Sequence, residues 1–210
     1  MRVSGAMPET HDAPAMLAAN HVSWLDIFVL LGIRPARFIA KSEIRDWPIA
    51  GWIAERAGTI FIRRERRHDT ARINDRVHEA LVQGDWVGLF PEGTTTEGDE
   101  ILPFHTSLFE PAVANAATIH PVAICYVAPD GSRSRAVAYI GEMTFMQSMA
   151  LVIRQRGIVA QVAFAEPIEM RPGLDRREAA RLAHERIASL LRLSSRMPPG
   201  RKPDPPGASQ

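Results

Sequence analysis

Between residues 14 and 194, short apolar runs alternate with stretches of helical period, and this alternation restricts the fold more than any other feature of the chain. The runs "AMLAA", "RFIAK", "TIFIRR", "WVGLF", "IHPVAICYV", "RAVAYIG" and "IVAQVAFAEPI" each have the length and residue types of a strand. Ser23 reads as the N-cap of a helix that runs to about Leu31 and stops at Gly32. In "WPIAGWIAERAG", Pro48 sits in a first helical turn and Gly58 just past the end. "DTARINDRVHEALVQG" puts Ile73, Val77, Ala80 and Leu81 on one helical face, with Gly84 as its stop. "SLFEPAVANAA" opens with Ser107 three residues before Glu110, the spacing of a capping box. "TFMQSMALVIRQRG" and "DRREAARLAHERIASLLRL" are two more helices. The order predicts a single α/β domain over 14–194, a mixed central sheet flanked by helices. Residues 1–13 read as a flexible N-terminus. The Pro- and Gly-rich segment 195–210 reads as a disordered tail.

Composition narrows the function classes. The net charge of +1 argues for no particular partner. The local basic run "RRERRH" lacks the aromatic interleaving and reader motif of a nucleic-acid module, so no nucleic-acid partner is expected. A single cysteine, Cys125, makes neither an internal disulfide nor a cysteine metal cage, and reads as a buried residue in a reducing compartment. The first residues lack the apolar segment of a secretory leader. No apolar run reaches the roughly 20 residues that span a bilayer. The chain therefore reads as soluble or membrane-peripheral, with Trp47 and Trp52 suited either to a membrane interface or to a core helix.

"NHVSWLD" places His21 and Asp26 five positions apart, where a core is starting to form. Ser23 and Asp26 fit a capping box, which would make His21 an incidental loop residue. The same spacing lets Asp26 accept a hydrogen bond from one ring nitrogen of His21, which fixes the tautomer and leaves the other nitrogen free to take a proton. The two readings are compatible. A nucleophile would then come from the substrate, as a hydroxyl or an amine.

"FPEGTTT" follows the strand "WVGLF". It reads as a turn between strand and helix, or as a carboxylate, Glu92, held at a strand end beside Gly93, Thr94 and Thr95, where α/β folds tend to bind ligands. Arg63 and Arg64 end another strand, and a guanidinium fork there matches phosphate oxygens. His21, Asp26, Glu92 and His105 lack the local spacing of metal-ligand pairs, so neither a metal nor another cofactor is expected.

Together, in this order, these stretches resemble the 1-acylglycerol-3-phosphate (lysophospholipid) acyltransferase family. "NHVSWLD" matches its NHxxxxD motif at Asn20, His21 and Asp26. "GTIFIRR" is similar to its second block, "FPEGTTT" to its FPEG block, "LPFHTSLFEPA" to the segment after that, and "HPVAI" to its fourth block around Pro121. The resemblance covers residues 14–170. It implies a glycerol-3-phosphate acyltransferase-like fold and transfer of an acyl group from a coenzyme A or acyl carrier protein thioester to a lysolipid hydroxyl. His21 would be the general base, oriented by Asp26. Asn20, Arg63, Arg64, Glu92, Gly93, Thr94 and Thr95 would form the acceptor site, with Arg64 on the acceptor's phosphate.

The sequence departs from the family pattern at named positions. Thr95 stands where FPEGTR members carry Arg, Arg63 where many have an acid, and His105 where Lys is common. Many relatives also begin with a membrane helix that is not seen here. The first expectation is conversion of 1-acylglycerol-3-phosphate to phosphatidate. The missing Arg makes lyso-ornithine lipid, which has no phosphate, the alternative acceptor. A catalytically silent lipid-binding relative is the alternative of another class. The expected place of work is the cytoplasm, peripheral on the cytoplasmic face of the inner membrane, with the membrane surface as a partner.

Overall fold

A computed structural model describes residues 1–7, 14–47, 50–56, 58–62 and 67–194. Seven strands form one sheet: β1 (Arg2–Gly5), β2 (Ala15–Ala19), β3 (Arg37–Lys41), β4 (Ile60–Ile62), β5 (Trp86–Leu89), β6 (Thr118–Val127) and β7 (Val159–Phe164). Their order across the sheet is β1-β7-β6-β2-β5-β3-β4. All neighbours run parallel except β6 and β7, so the sheet is mixed, as predicted. The helices are α1 (Leu25–Leu31), α2 (Ala50–Arg56), α3 (Arg67–Val82), α4 (Glu110–Ala114), α5 (Phe145–Arg154) and α6 (Arg176–Ser194).

The strands β2 and β5 are apolar and buried at every position because both faces of the sheet are covered there. Along β2, Ala15, Leu17 and Ala19 belong to one core and Met16 and Ala18 to the other. The first core joins Leu17, Phe38, Val122, Ile124 and Val162 to Ile27 and Leu30 of α1, with Val152 of α5 at its margin. The second packs Met16, Val87, Leu89 and Ile119 under Ile73, Val77, Ala80 and Leu81 of α3, and under α4 and α6. The four α3 residues assigned to one face from sequence are all buried there.

Several expectations are corrected. Residues 2–5, placed in a flexible N-terminus, form β1, which pairs in parallel with β7 from Arg2↔Gln161 to Gly5↔Phe164. Backbone pairing with an open strand edge does this work, and only Val3 leans on the core. Residues 8–13 and the 195–210 tail lie outside the described residues. "RAVAYIG" is not a strand. Val137 and Ala138 are buried as a turn closed by the Ala138 N–H on the Arg135 carbonyl, 3.0 Å. Its apolar character comes from packing on the core, and the bridge nearby, Arg133 to Val127, lies before it. The Ser107–Glu110 box does not form. A turn of 3-10 helix (Thr106–Phe109) precedes α4, and Glu110 pairs with Arg176 at 3.1 Å. A capping box does form at α5, where Thr144 and Gln147 exchange bonds with each other's backbone.

One contact fixes the middle of the sheet beneath the loops. A Cβ on Gly88 would lie 2.3 Å from the Phe38 ring, which is itself fully buried. Phe38 therefore occupies the space a side chain at 88 would need. Gly88→Ala is expected to destabilise the fold by about 1–3 kcal/mol through overpacking, read as a lowered thermal-unfolding midpoint. An unchanged midpoint would show that the ring has room to move.

Candidate active site

The strands β2, β5 and β6 lie side by side, and the site forms where their C-terminal ends meet, the usual ligand position of a parallel α/β sheet. The last register pair of β2 is Ala19↔Val122, and β6 continues beyond it. Asn20 extends the ladder with its side chain. Its Nδ2 donates to the Ile124 carbonyl at 2.9 Å, and its Oδ1 accepts the Ile124 N–H at 2.7 Å. This carboxamide, 1 % exposed, clamps the chain to β6 immediately before His21.

The following loop closes around Asp26. Its carboxylate is fully buried, yet it meets four donors. Oδ2 accepts from the backbone N–H groups of Val22 (2.7 Å) and Ser23 (2.9 Å) and lies 2.9 Å from His21 Nδ1. Oδ1 accepts from the Tyr126 hydroxyl at 2.6 Å. Of the Ser23–Asp26 capping box only half forms: Asp26 accepts the Ser23 N–H, but the Ser23 hydroxyl does not take the Asp26 N–H, which bonds the Ser23 carbonyl at 3.0 Å. Asp26 caps the approach to α1 through Ser23 N–H and also holds the imidazole. The cap position itself falls on Trp24, one residue later than expected.

An ionised Asp26 accepts only, so the proton on the facing nitrogen of His21 is at Nδ1 and the lone pair is at Nε2. The imidazole stacks on Phe90, with centroids 3.9 Å apart and planes 12° from parallel. Phe90 in turn stacks on Phe38 at 5.7 Å. One edge of the ring is held by a carboxylate and one face by an aromatic wall, while the side chain keeps 18 % of its surface open. The arrangement suits a base that takes a proton from a hydroxyl.

Glu92, at the end of β5, shapes the same loop from the other side. Oε1 accepts the His21 backbone N–H and Oε2 that of Leu102, both at 2.8 Å. Burial pushes the Glu92 carboxyl above its ordinary range, and these two bonds and the nearby His21 partly offset this. Gly93 turns the chain at φ +73°, a left-handed conformation that glycine adopts without strain. Thr94 is exposed. Thr95 donates its hydroxyl to the Tyr139 carbonyl, and the Thr96 N–H bonds the His21 carbonyl at 2.9 Å.

Of the residues expected in the site, the structure brings His21, Asp26, Asn20, Glu92, Gly93, Thr94 and Thr95 together in two adjoining loops. Asn20 and Glu92 were expected to meet the acceptor. Instead both are buried with their polar atoms on backbone groups, and they hold the loops. Arg63 and Arg64 lie outside the described residues. His105 is exposed at the start of the 3-10 turn, and its backbone N–H bonds the Pro91 carbonyl of the second loop at 2.9 Å. Among the described residues no group of His, Cys, Asp and Glu could hold a metal ion.

Sequence reasoning missed Tyr126 and a second aromatic wall, separate from Phe90, beside α5. Trp24 Nε1 donates to Ser148 of α5 at 3.0 Å, and its indole meets Phe145 edge-on. Trp47 stacks on Phe145 at 4.4 Å and meets Tyr139. Trp47 is thus a packing residue of this wall. Trp52 is more than half exposed, with the Arg56 guanidinium over its ring. "HPVAICYV" gave one available signal, a tyrosine toward the end of a mostly apolar strand.

A family model described as acyltransferase matches residues 1–125. A lyso-ornithine lipid O-acyltransferase of Pseudomonas aeruginosa is 41 % identical over 91 % of this chain and 72 % of its own length. A 1-acyl-sn-glycerol-3-phosphate acyltransferase of Neisseria gonorrhoeae is 42 % identical over 66 % of this chain and 54 % of its own. The crystal structure of the 1-acyl-sn-glycerophosphate acyltransferase PlsC from Thermotoga maritima has the same fold, with a TM-score of 0.64 and 20 % identity over 93 % of this chain and 73 % of that one. The chain belongs to the acyltransferase family.

Asp26→Asn keeps the size of the side chain but loses the charge and one acceptor edge. Transfer is expected to fall at least about a hundredfold, measured as kcat on the soluble variant. Full activity would return Asp26 to a capping role alone. Glu92→Gln turns one acceptor into a donor facing a backbone N–H. It is expected to cost about 1–3 kcal/mol in a denaturant melt.

Proposed function

We propose that the protein transfers a fatty acyl group from a thioester to the free hydroxyl of a lysolipid, with His21 as general base and lyso-ornithine lipid as acceptor. The observation that carries the chemistry is the His21–Asp26 pair at the open end of the sheet, with Nδ1 held at 2.9 Å by a buried carboxylate. Nε2 takes the hydroxyl proton as the acceptor oxygen attacks the thioester carbonyl. The tetrahedral intermediate collapses, the carbon–sulfur bond breaks, and the proton passes from His21 to the departing thiolate. A thioester is already activated, so a positioned base is the main demand on the protein. The donor is acyl-coenzyme A or acyl carrier protein, both of which present such a thioester.

Two observations favour the ornithine lipid over the phosphate acceptor that sequence reasoning put first. Thr95, where relatives with FPEGTR carry a guanidinium, ties its hydroxyl to a backbone carbonyl and offers no charge. The similarity to the relative named for lyso-ornithine lipid also runs over 91 % of this chain, against 66 % for the one named for 1-acyl-sn-glycerol-3-phosphate. Arg64, present in the second block, supports the phosphate acceptor as a second reading.

No described helix is long and apolar enough to cross a membrane. Met146, Leu151 and Ile153 of α5 and Trp52 expose apolar surface. That surface suits a peripheral contact with the bilayer that holds the acceptor, on the cytoplasmic face of the inner membrane where the thioesters are found.

The test offers lyso-ornithine lipid and lysophosphatidate in parallel, each with both donors, and resolves the products by mass. The ornithine lipid is expected to be acylated, and His21→Ala to abolish the reaction. Thr95→Arg is expected to weaken use of the ornithine lipid several-fold through repulsion of its ammonium. Acylation of lysophosphatidate alone would replace this reading by the second.

A further inference from the structure

We propose that Tyr126 is a positioning residue of the acyl transfer, holding the second oxygen of Asp26 so that the first stays on His21. The proposal rests on the reading of His21 as base. It follows from sheet register. Beyond Ala19↔Val122, alternate residues of β6 face the His21 loop: Ile124 takes the Asn20 amide, and Tyr126, two positions further, reaches Asp26. Oδ2 already serves Val22 N–H, Ser23 N–H and His21 Nδ1. Among the described residues, the hydrogen-bond partner of Oδ1 is the Tyr126 hydroxyl. Asp26 has no exposed surface, so no solvent stands ready to replace the phenol.

Two effects follow. The carboxylate is held at both oxygens and cannot swing away from the imidazole when the ring takes a proton. The phenol also draws charge toward Oδ1, which moderates how strongly Oδ2 holds an imidazolium. Burial and the Asp26 charge push the Tyr126 phenol well above its ordinary value, so it remains a donor across the working pH range. The ionisable groups facing His21 among the described residues are Asp26 from α1, Glu92 from the loop after β5, and Tyr126 of β6 behind Asp26. Only the last changes in the test.

Tyr126→Phe keeps the ring and removes the donor. With both substrates saturating, kcat is expected to fall about tenfold to a hundredfold, with each KM within about twofold because neither substrate meets the phenol. The acid limb of the pH profile of kcat/KM is expected to move to higher pH, because without the phenol Asp26 keeps its full charge toward the ring. A fluorinated tyrosine at 126 is a stronger donor and should move the limb down. It also carries the test if the Phe variant does not fold. A wild-type limb and kcat in these variants, or a lowered melting midpoint with both unchanged, overturns the proposal and leaves Tyr126 a packing residue. His21→Ala, assayed beside them, separates the two levels. Lost turnover there with silent Tyr126 variants removes the proposal alone, whereas retained turnover removes the base reading and the proposal with it.

Discussion

The site is organised by the need to keep one negative charge, Asp26, out of water. A buried carboxylate is strongly unfavourable unless its lone pairs are met by donors. Here the donors come from two parts of the chain: the loop 21–23, through the His21 ring and the Val22 and Ser23 backbone, and a tyrosine of β6. The loop between β2 and α1 is short enough that its N–H groups turn inward onto the carboxylate at the head of the helix. The conformation that satisfies the charge is also the one that aims His21. The same bonds hold the loop and the imidazole, so removing the carboxylate would loosen both.

The sheet makes this possible by ending its strands unevenly. β6 outruns β2, and the overhang supplies both the backbone that Asn20 clamps and the phenol that Asp26 meets. On the other side, β5 delivers Phe90 and Glu92, which support the His21 ring and its backbone N–H. The bare Gly88 gives Phe38 its place, Phe38 stacks on Phe90, and Phe90 stacks on the imidazole. The His21 ring thus rests on a column of packed aromatic groups rooted in a strand.

What could be read from the sequence follows the range of the interactions. His21 and Asp26 are five positions apart, so a local spacing exposes them, and the α3 face is legible because helical period is local. Tyr126 is invisible to such reasoning, since it lies 100 positions from Asp26 and only register joins them. β1 is hidden for another reason. "RVSG" carries almost no apolar signal, because its place is set by backbone pairing with the β7 edge. "RAVAYIG" shows the opposite failure, an apolar alternation belonging to a turn pressed on the core beside the site. Asn20 and Glu92 were legible as site residues, but their task was not, because a motif names a residue and does not say which atoms its polar groups meet.

That difference separates the two halves of the site. The His21–Asp26 pair rests on β2, α1 and β6, and its polar atoms are committed to one another. The neighbouring Gly93–Thr96 loop is held by backbone groups, through the His21 and Tyr139 carbonyls. Thr95 reaches toward the segment that carries Tyr139, and Tyr139 meets Trp47 in the aromatic wall beside α5. Under the proposed function, a change of side chain at 95 would alter the charge near the acceptor without touching any donor to Asp26. Head-group preference could then vary while proton transfer stays fixed. This is how the family motif can remain intact at Asn20, His21 and Asp26 while the third block departs from FPEGTR.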